Sequence, residues 1–348
     1  MSWYHAPAKT VSQAHLAEAQ ERQSQLTKPQ GSLGDLERLA IQLAGLQHRA
    51  QPSCDQAQFT VFAADHGVAN EGVSAFPQSV TGQMIQNFAS GGAAIAVLAK
   101  SLNCPLTVIN LGTINELPAI EGVEDKRIAA GTENFSVKSA MSESQLQQAL
   151  EIGQQSIQQA RQQNADIWIG GEMGIANTTS ATALACAHFN CAAAEIVGPG
   201  TGLDNAGQIH KSAVIHKALD LFNANAQTPL KNLQYLGGFE IAALTGAYIS
   251  AAQEGMPVIV DGFICSVAAL YAKAINPSIE PWLIFSHQSA EPGHKKILSD
   301  FEQSPLVDLG LRLGEGSGAA TVLPLLRLAC ELHNKMATFE QAQIDNKS

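Results

Sequence analysis

Hydrophobic positions follow two different rhythms along this 348-residue chain. Near the N-terminus, Leu36, Leu39, Leu43 and Leu46 recur at helical spacing and predict a helix over 35–48. A Gln-, Ala- and Glu-rich stretch over 14–24 predicts a helix before it. Thr27-Lys28-Pro29-Gln30-Gly31-Ser32-Leu33-Gly34 is a turn-rich break between the two, and Ser32 with Asp35 is a candidate N-cap signal. From residue 58 the rhythm changes. Six short apolar runs, 59–64, 106–111, 167–169, 195–197, 258–260 and 282–285, alternate with longer helical stretches. Most are apolar at consecutive positions, which suits parallel strands covered on both faces by helices. The alternation predicts a doubly wound α/β core. Beyond Gly318 the pattern is helical again over 319–336, with Pro324 expected early in that helix or breaking it. The polar residues 341–348 are expected to fray. The predicted layout is a helical segment 1–57, an α/β domain 58–312, and a segment 313–348 whose loop and helix pack with the first as a small helical domain.

Composition narrows the function classes. With 45% hydrophobic residues the chain carries enough apolar material for a folded core. Twenty basic against 31 acidic residues give a net charge of −11, which disfavours a nucleic-acid surface. A small phosphorylated ligand is still compatible with that charge, because backbone N–H groups can hold one. None of the six cysteines lies in a C-x-x-C pair, so they read as small buried hydrophobes in a reducing compartment. No secretory pattern opens the chain. The most apolar region, 233–274, is interrupted by Glu240, Glu254 and Asp261, so no membrane span is expected. A cytoplasmic protein is the expectation.

In an open parallel sheet, ligands bind beyond the carboxyl ends of the strands. The apolar runs are followed in turn by Asp65-His66-Gly67, Gly112-Thr113, Gly170-Gly171-Glu172-Met173-Gly174, Gly198-Pro199-Gly200-Thr201-Gly202, Asp261-Gly262 and Ser286-His287-Gln288-Ser289. The glycine turn at 198–202 could cradle a phosphate with the helix after it, although Asn205 stands where a dinucleotide fingerprint would have its third small residue. Asp65, His66, His287 and His294 form no recognised metal-ligand spacing, so hydrogen-bonding or structural roles are expected and no metal is. Two carboxylates stand out. Glu172 and Glu315 each lie among glycines and apolar residues, where desolvation would raise the pKa and make a better base. For Glu315, interaction with a helix dipole is the alternative.

Lys28-Pro-Gln-Gly-Ser-Leu-Gly34, Ala64-Asp-His-Gly-Val68, Gly170 to Thr179, Gly198 to Asp204, Gly237-Gly-Phe-Glu240, Ser286 to His294 and Leu313-Gly-Glu-Gly-Ser-Gly318 together resemble the nicotinate-nucleotide:dimethylbenzimidazole phosphoribosyltransferase family, in family order. The resemblance implies a Rossmann-like α/β domain with a small helical domain, assembled as a homodimer. It implies transfer of the 5-phosphoribosyl group of nicotinate mononucleotide to 5,6-dimethylbenzimidazole, with inversion, in cobalamin nucleotide-loop assembly. No cofactor is implied, and no Mg²⁺, because no pyrophosphate leaves. Glu315 matches the general base and Glu172 a second acid near the reacting centre. Gly174, Asn177, Gly200, Gly202, Lys211, Asp261 and Ser289 match the region holding the phosphoribosyl group. Phe76, Met84, Met173 and Leu313 fall around the aromatic base, with Phe76 and Met84 standing where polar residues are expected. The preferred base therefore stays open. A nicotinamide-dependent oxidoreductase and a non-catalytic nucleotide-binding protein are the alternatives.

Overall fold

Strands that are apolar at nearly every position are stable only between two layers of helices. The computed structural model, which describes residues 2–345, has that arrangement. Its strands are β1 (Ala57–Ala64), β2 (Leu106–Gly112), β3 (Val123–Asp125), β4 (Ile167–Met173), β5 (Val258–Val260) and β6 (Leu283–Phe285). All pair in parallel, in the order β3-β2-β1-β4-β5-β6. The direction of winding reverses between β1 and β4, and such a reversal opens a crevice at the carboxyl edge of a sheet.

Side chains alternate between two cores. Phe59, Val61 and Ala63 of β1 join Ile167 and Ile169 of β4 in one core, while Phe62, Ala64 and Trp168 face the other. Each large side chain so buried contributes about 1.5–3 kcal/mol relative to exposure. Trp168 keeps its polar atom satisfied by donating Nε1–H to Thr60 Oγ1 at 3.1 Å. The helices Asp35–Gln47 and Ser317–Lys335 pack on each other, and Leu39, Leu43, Leu323 and Leu326 share the first core with the sheet. Pro324 lies inside the second of these helices without ending it. Among the described residues no helix is long and apolar enough to cross a membrane. All six cysteines are free thiols.

Three expectations need correction. The run 195–197 is no strand. Ala193–Glu195 is a turn of 3-10 helix, and the N–H groups of Ile196 and Val197 both bond back to the Ala193 carbonyl, leaving no ladder to join. The sixth strand is instead Val123–Asp125, a stretch absent from the six apolar runs. It pairs on one side only, with Val108–Asn110, so its other face needs no apolar residues. Ser32 does not cap the helix at Asp35. Gly34 holds that position at φ +54, and Glu37 folds the preceding turn by accepting N–H bonds from Gly31 and Leu33 and pairing with Lys28 at 2.8 Å. At the C-terminus Phe339–Ala342 forms one helical turn, and of the stretch expected to fray, 346–348 lies outside the described residues.

The other core depends on close backbone approach between the helices Glu143–Gln162 and Phe239–Glu254. A Cβ on Gly153 would collide with the Ala243 carbonyl and lie 2.8 Å from the Ala247 nitrogen. Gly153→Ala should force the two helices apart and cost about 1–3 kcal/mol. Urea unfolding checks this, and an unchanged midpoint would show that the helix pair tolerates the methyl group.

Candidate active site

A cavity of about 490 Å³ lies at the carboxyl edge of β4 and β5. Its walls are the segment after β4, the 198–202 turn, the segments after β5 and β6, the loop 312–315, and Phe76, Val80 and Met84 beside them. Of the residues singled out above, Glu172, Glu315, Gly174, Asn177, Gly200, Asp261, Ser289, Phe76, Met84, Met173 and Leu313 all line it. Two do not. Gly202 is at φ +110 in open space. Lys211 stands one layer back, 1% exposed, its Nζ donating to Thr178 Oγ1 at 2.7 Å.

Glu172 is near the end of β4, whose pairing with β1 carries through Thr60–Gly170, Val61–Gly171 and Phe62–Glu172. The glycines after Ile169 therefore belong to the strand and not to a loop. Glu172 accepts a hydrogen bond from Asn177 Nδ2. Burial pushes its carboxyl well above the ordinary range, and the neighbouring Glu240 and Asp261 charges push the same way, against the lowering effect of the Asn177 and Glu315 N–H groups. Glu315 is also raised, by burial first and then by Asp261, with the Ile95 N–H on Oε2 at 3.3 Å opposing.

Backbone geometry sets these carboxylates. Gly314, Glu315 and Gly316 take φ values of +89, +66 and +86, so three successive residues are left-handed. Holding a glutamate there costs about 1–3 kcal/mol, and such positions cluster at functional sites. Ala176, before the helix Asn177–Phe189, is left-handed too. Asp261 fixes the loop. Its oxygens accept N–H bonds from Gly316 at 3.2 Å and Ala319 at 2.9 Å, at the start of the helix Ser317–Lys335. Both oxygens of this predicted phosphoribosyl-region residue are thus occupied by the protein itself.

The histidines and remaining motifs divide between lining and support. His287 lines the cavity, its Nδ1 against Ser286 Oγ at 2.9 Å. His294 is buried and pushed down to about 3 by that burial, hence neutral. Its Nδ1 accepts the Ser289 N–H at 2.8 Å, so it steadies the Ser289 turn. His66 pairs with Glu240 at 2.7 Å, both fully buried behind Gly174. Asp65 accepts the Ile114 N–H at 2.8 Å. The Lys28–Gly34 segment lies outside the cavity.

Thr178, Phe263, His287, Glu291 and Arg312 line the cavity and were not placed among the substrate-contacting residues from sequence, His287 being expected only in a hydrogen-bonding or structural role. Thr178, His287 and Glu291 belong to motif segments already noted, whereas nothing in the local pattern marks Phe263 or Arg312. Burial brings Lys211 down to about 8, with Glu291 opposing that shift.

Comparison with known proteins follows the same lines. The family described as phosphoribosyltransferase (DBI_PRT) matches residues 8–344. A nicotinate-nucleotide–dimethylbenzimidazole phosphoribosyltransferase from Pseudomonas putida is 55% identical over 346 residues, covering 99% of each chain. One from Ectopseudomonas mendocina is 55% identical over 344 residues, covering 99% of this chain and 98% of its own. The crystal structure of CobT from Thermus thermophilus superposes with a TM-score of 0.92 at 38% identity, covering 96% of this chain and all of the other.

A carboxyl raised by folding favours the folded state at low pH, and that advantage is lost as pH climbs from the unfolded value, 4.5 for Glu172, through the folded one. Glu172→Gln keeps an acceptor for Asn177 and removes the buried charge. It should therefore melt higher than the parent at pH 7.5, and the difference should shrink towards pH 4. Thermal melts at the two pH values decide it, and a variant melting no higher at pH 7.5 would contradict the assignment.

Proposed function

The chain belongs to the nicotinate-nucleotide–dimethylbenzimidazole phosphoribosyltransferase family, and from that premise we propose that it transfers the 5-phosphoribosyl group of nicotinate mononucleotide to 5,6-dimethylbenzimidazole. The products are α-ribazole 5′-phosphate and nicotinate, in the assembly of the cobalamin nucleotide loop. The observation that carries the reading is the pair Glu172 and Glu315, two desolvated carboxylates on one cavity whose mouth is walled by Phe76, Met84, Met173 and Leu313.

In this reading the flat base lies against those apolar side chains. One benzimidazole nitrogen attacks the anomeric carbon, and Glu315 takes the proton from the other. The raised pKa of Glu315 suits that role near neutrality. The pyridine leaves without a general acid because it is already cationic in the nucleotide. That same cation, bound beside Glu172, would offset the burial of the carboxyl and favour its charged form. Glu172 then stabilises positive charge developing at the sugar carbon. Gly174, Asn177, Gly200 and Ser289 hold the phosphoribosyl group, with Lys211 behind them and Gly202 serving only the turn that presents Gly200. Asp261 serves the site by anchoring the Glu315 loop. The working enzyme is taken as a homodimer in the reducing cytoplasm. Its chain is divided into 58–312 and a helical unit from 1–57 and 313–348.

A nicotinamide-dependent oxidoreductase is disfavoured. In a dinucleotide fold the glycine-rich turn follows the first strand. Here β1 is followed by Asp65-His66, and the 198–202 turn follows a 3-10 helix. The apolar base wall leaves room for other flat heterocycles as acceptors.

Incubation with nicotinate mononucleotide and a panel of benzimidazoles, purines and phenols tests the reaction. Mass analysis should find the α-ribazole phosphate from dimethylbenzimidazole. Its absence, with thermal stabilisation by NAD(H) alone, would favour the oxidoreductase. Glu315→Gln should lower kcat by ~10²-fold or more in a protein that stays folded, and near-normal turnover would remove Glu315 as the base. Lys211→Ala should mainly raise KM for the nucleotide, since a phosphate contact acts in ground and transition states alike. A loss confined to kcat would contradict that role.

A further inference from the structure

The cavity is oddly charged for the ligand assigned to it. Its lining includes four carboxylates, Glu172, Asp261, Glu291 and Glu315, and one guanidinium, Arg312. The donor nucleotide carries a phosphate monoester at one end and a ring carboxylate at the other. Lys211 lies behind the wall, and burial holds its pKa at about 8, so its positive charge is only partly present on the alkaline side of neutrality. Among the lining residues, a cation that could meet a phosphate directly is therefore Arg312.

Arg312 is placed for that contact. The Ala290 N–H bonds to the Leu311 carbonyl at 2.9 Å, and the Gln288 N–H to Val307 at 2.8 Å. These bonds pin the segment carrying Arg312 alongside Ser289 and Glu291. Glu291 in turn fills the space beside Gly198, where a Cβ would collide with its Oε2. A Cβ on Gly200 would lie 3.2 Å from Lys211 Nζ. Arg312, Ser289, Glu291 and the turn at Gly200 thus lie along one wall, with Lys211 behind it. Of the other arginines, Arg161 also lacks a side-chain bond among the described residues but lies on another face, beside Arg49 and Asp166, while the remaining ones are tied down. Arg127 pairs with Glu116 at 3.0 Å, and Arg327 donates to the carbonyls of Cys54 and Asp55. Arg312 is exposed, and among the described residues its guanidinium makes no hydrogen bond or ion pair, its neighbouring opposite charge being Glu291.

We propose that Arg312 is a substrate-binding residue that closes on the phosphate of the donor nucleotide from the loop side, while Lys211 acts from behind Gly200. A guanidinium can meet two phosphate oxygens at once, which a lysine cannot. The loop it belongs to continues into Leu313 and Glu315, so the phosphate contact, the base wall and the proposed general base are carried by one segment, which Asp261 holds from behind whether or not the phosphate is bound.

The inference rests on the proposed phosphoribosyl transfer, and the test separates the two. Wild-type turnover of nicotinate mononucleotide with dimethylbenzimidazole is the control, and its failure overturns the functional reading itself. Given that turnover, Arg312→Ala, at an exposed position outside both cores, should raise KM for nicotinate mononucleotide ~10-fold or more with kcat within about twofold. Inhibition constants against that substrate then locate the contact. Inorganic phosphate and nicotinamide mononucleotide should both bind the variant more weakly, and nicotinate riboside, which lacks the phosphate, should bind both proteins equally. An unchanged KM overturns the inference. So does an equal penalty on the riboside, or a penalty that vanishes with nicotinamide mononucleotide, which would make Arg312 a reader of the ring carboxylate.

Discussion

The carbonyl of Glu315 lies against the α-carbon of Gly171, so closely that no side chain fits between loop and strand. That approach brings the left-handed segment 314–316 down onto the end of β4 and seals Glu172 beneath it. Gly314 gives way in the same manner, since a Cβ there would collide with Glu172 Oε1. Two carboxylates are thereby taken out of water within one wall of one cavity. The basicity proposed for Glu315 and the charge response proposed for Glu172 both depend on that desolvation. Asp261 stabilises the arrangement by accepting two N–H bonds from the far side of the loop.

Desolvated acids are costly unless a partner arrives. Within the protein their partners are mainly N–H donors: Asn177 for Glu172 and Ile95 for Glu315. The cations nearby are Lys211, buried behind Thr178, and Arg312, exposed on the lining, both beside Glu291. Acids beside the reacting centre and cations reaching the phosphate region suit the proposed ligand, cationic at its reacting centre and anionic at its end. A phosphorylated pyridinium nucleoside has that distribution. The support behind the walls follows the same logic: His294 is held neutral and spends its Nδ1 on the Ser289 turn, and His66 with Glu240 backs Gly174.

Much of this was legible in the order of residues. Five of the six apolar runs mark strands, because a strand buried on both faces must be apolar at consecutive positions. The run 195–197 misled because three residues are too few to separate a ladder from a turn, and local bonds to Ala193 won. Val123–Asp125 escaped notice because an edge strand with a half-exposed face has no need of apolar residues. Glu172 and Glu315 were conspicuous for a physical reason: glycines on either side signal close backbone packing, and a carboxylate caught in it is desolvated.

Local pattern therefore settled the fold class, the edge of the sheet where the cavity lies, and the kinds of groups gathered there, since periodicity and glycine spacing are properties of neighbouring residues. Depth and company were settled by folding. Lys211 looked like a cavity residue and stands behind Thr178. Asp261 looked like a ligand contact and is spent on Gly316 and Ala319. Arg312 carried no local mark and reaches the rim through a backbone bond to Ala290. Burial, and the partners that come with it, arise from segments far apart in the chain, so they exist only once helices and strands have closed around a common space.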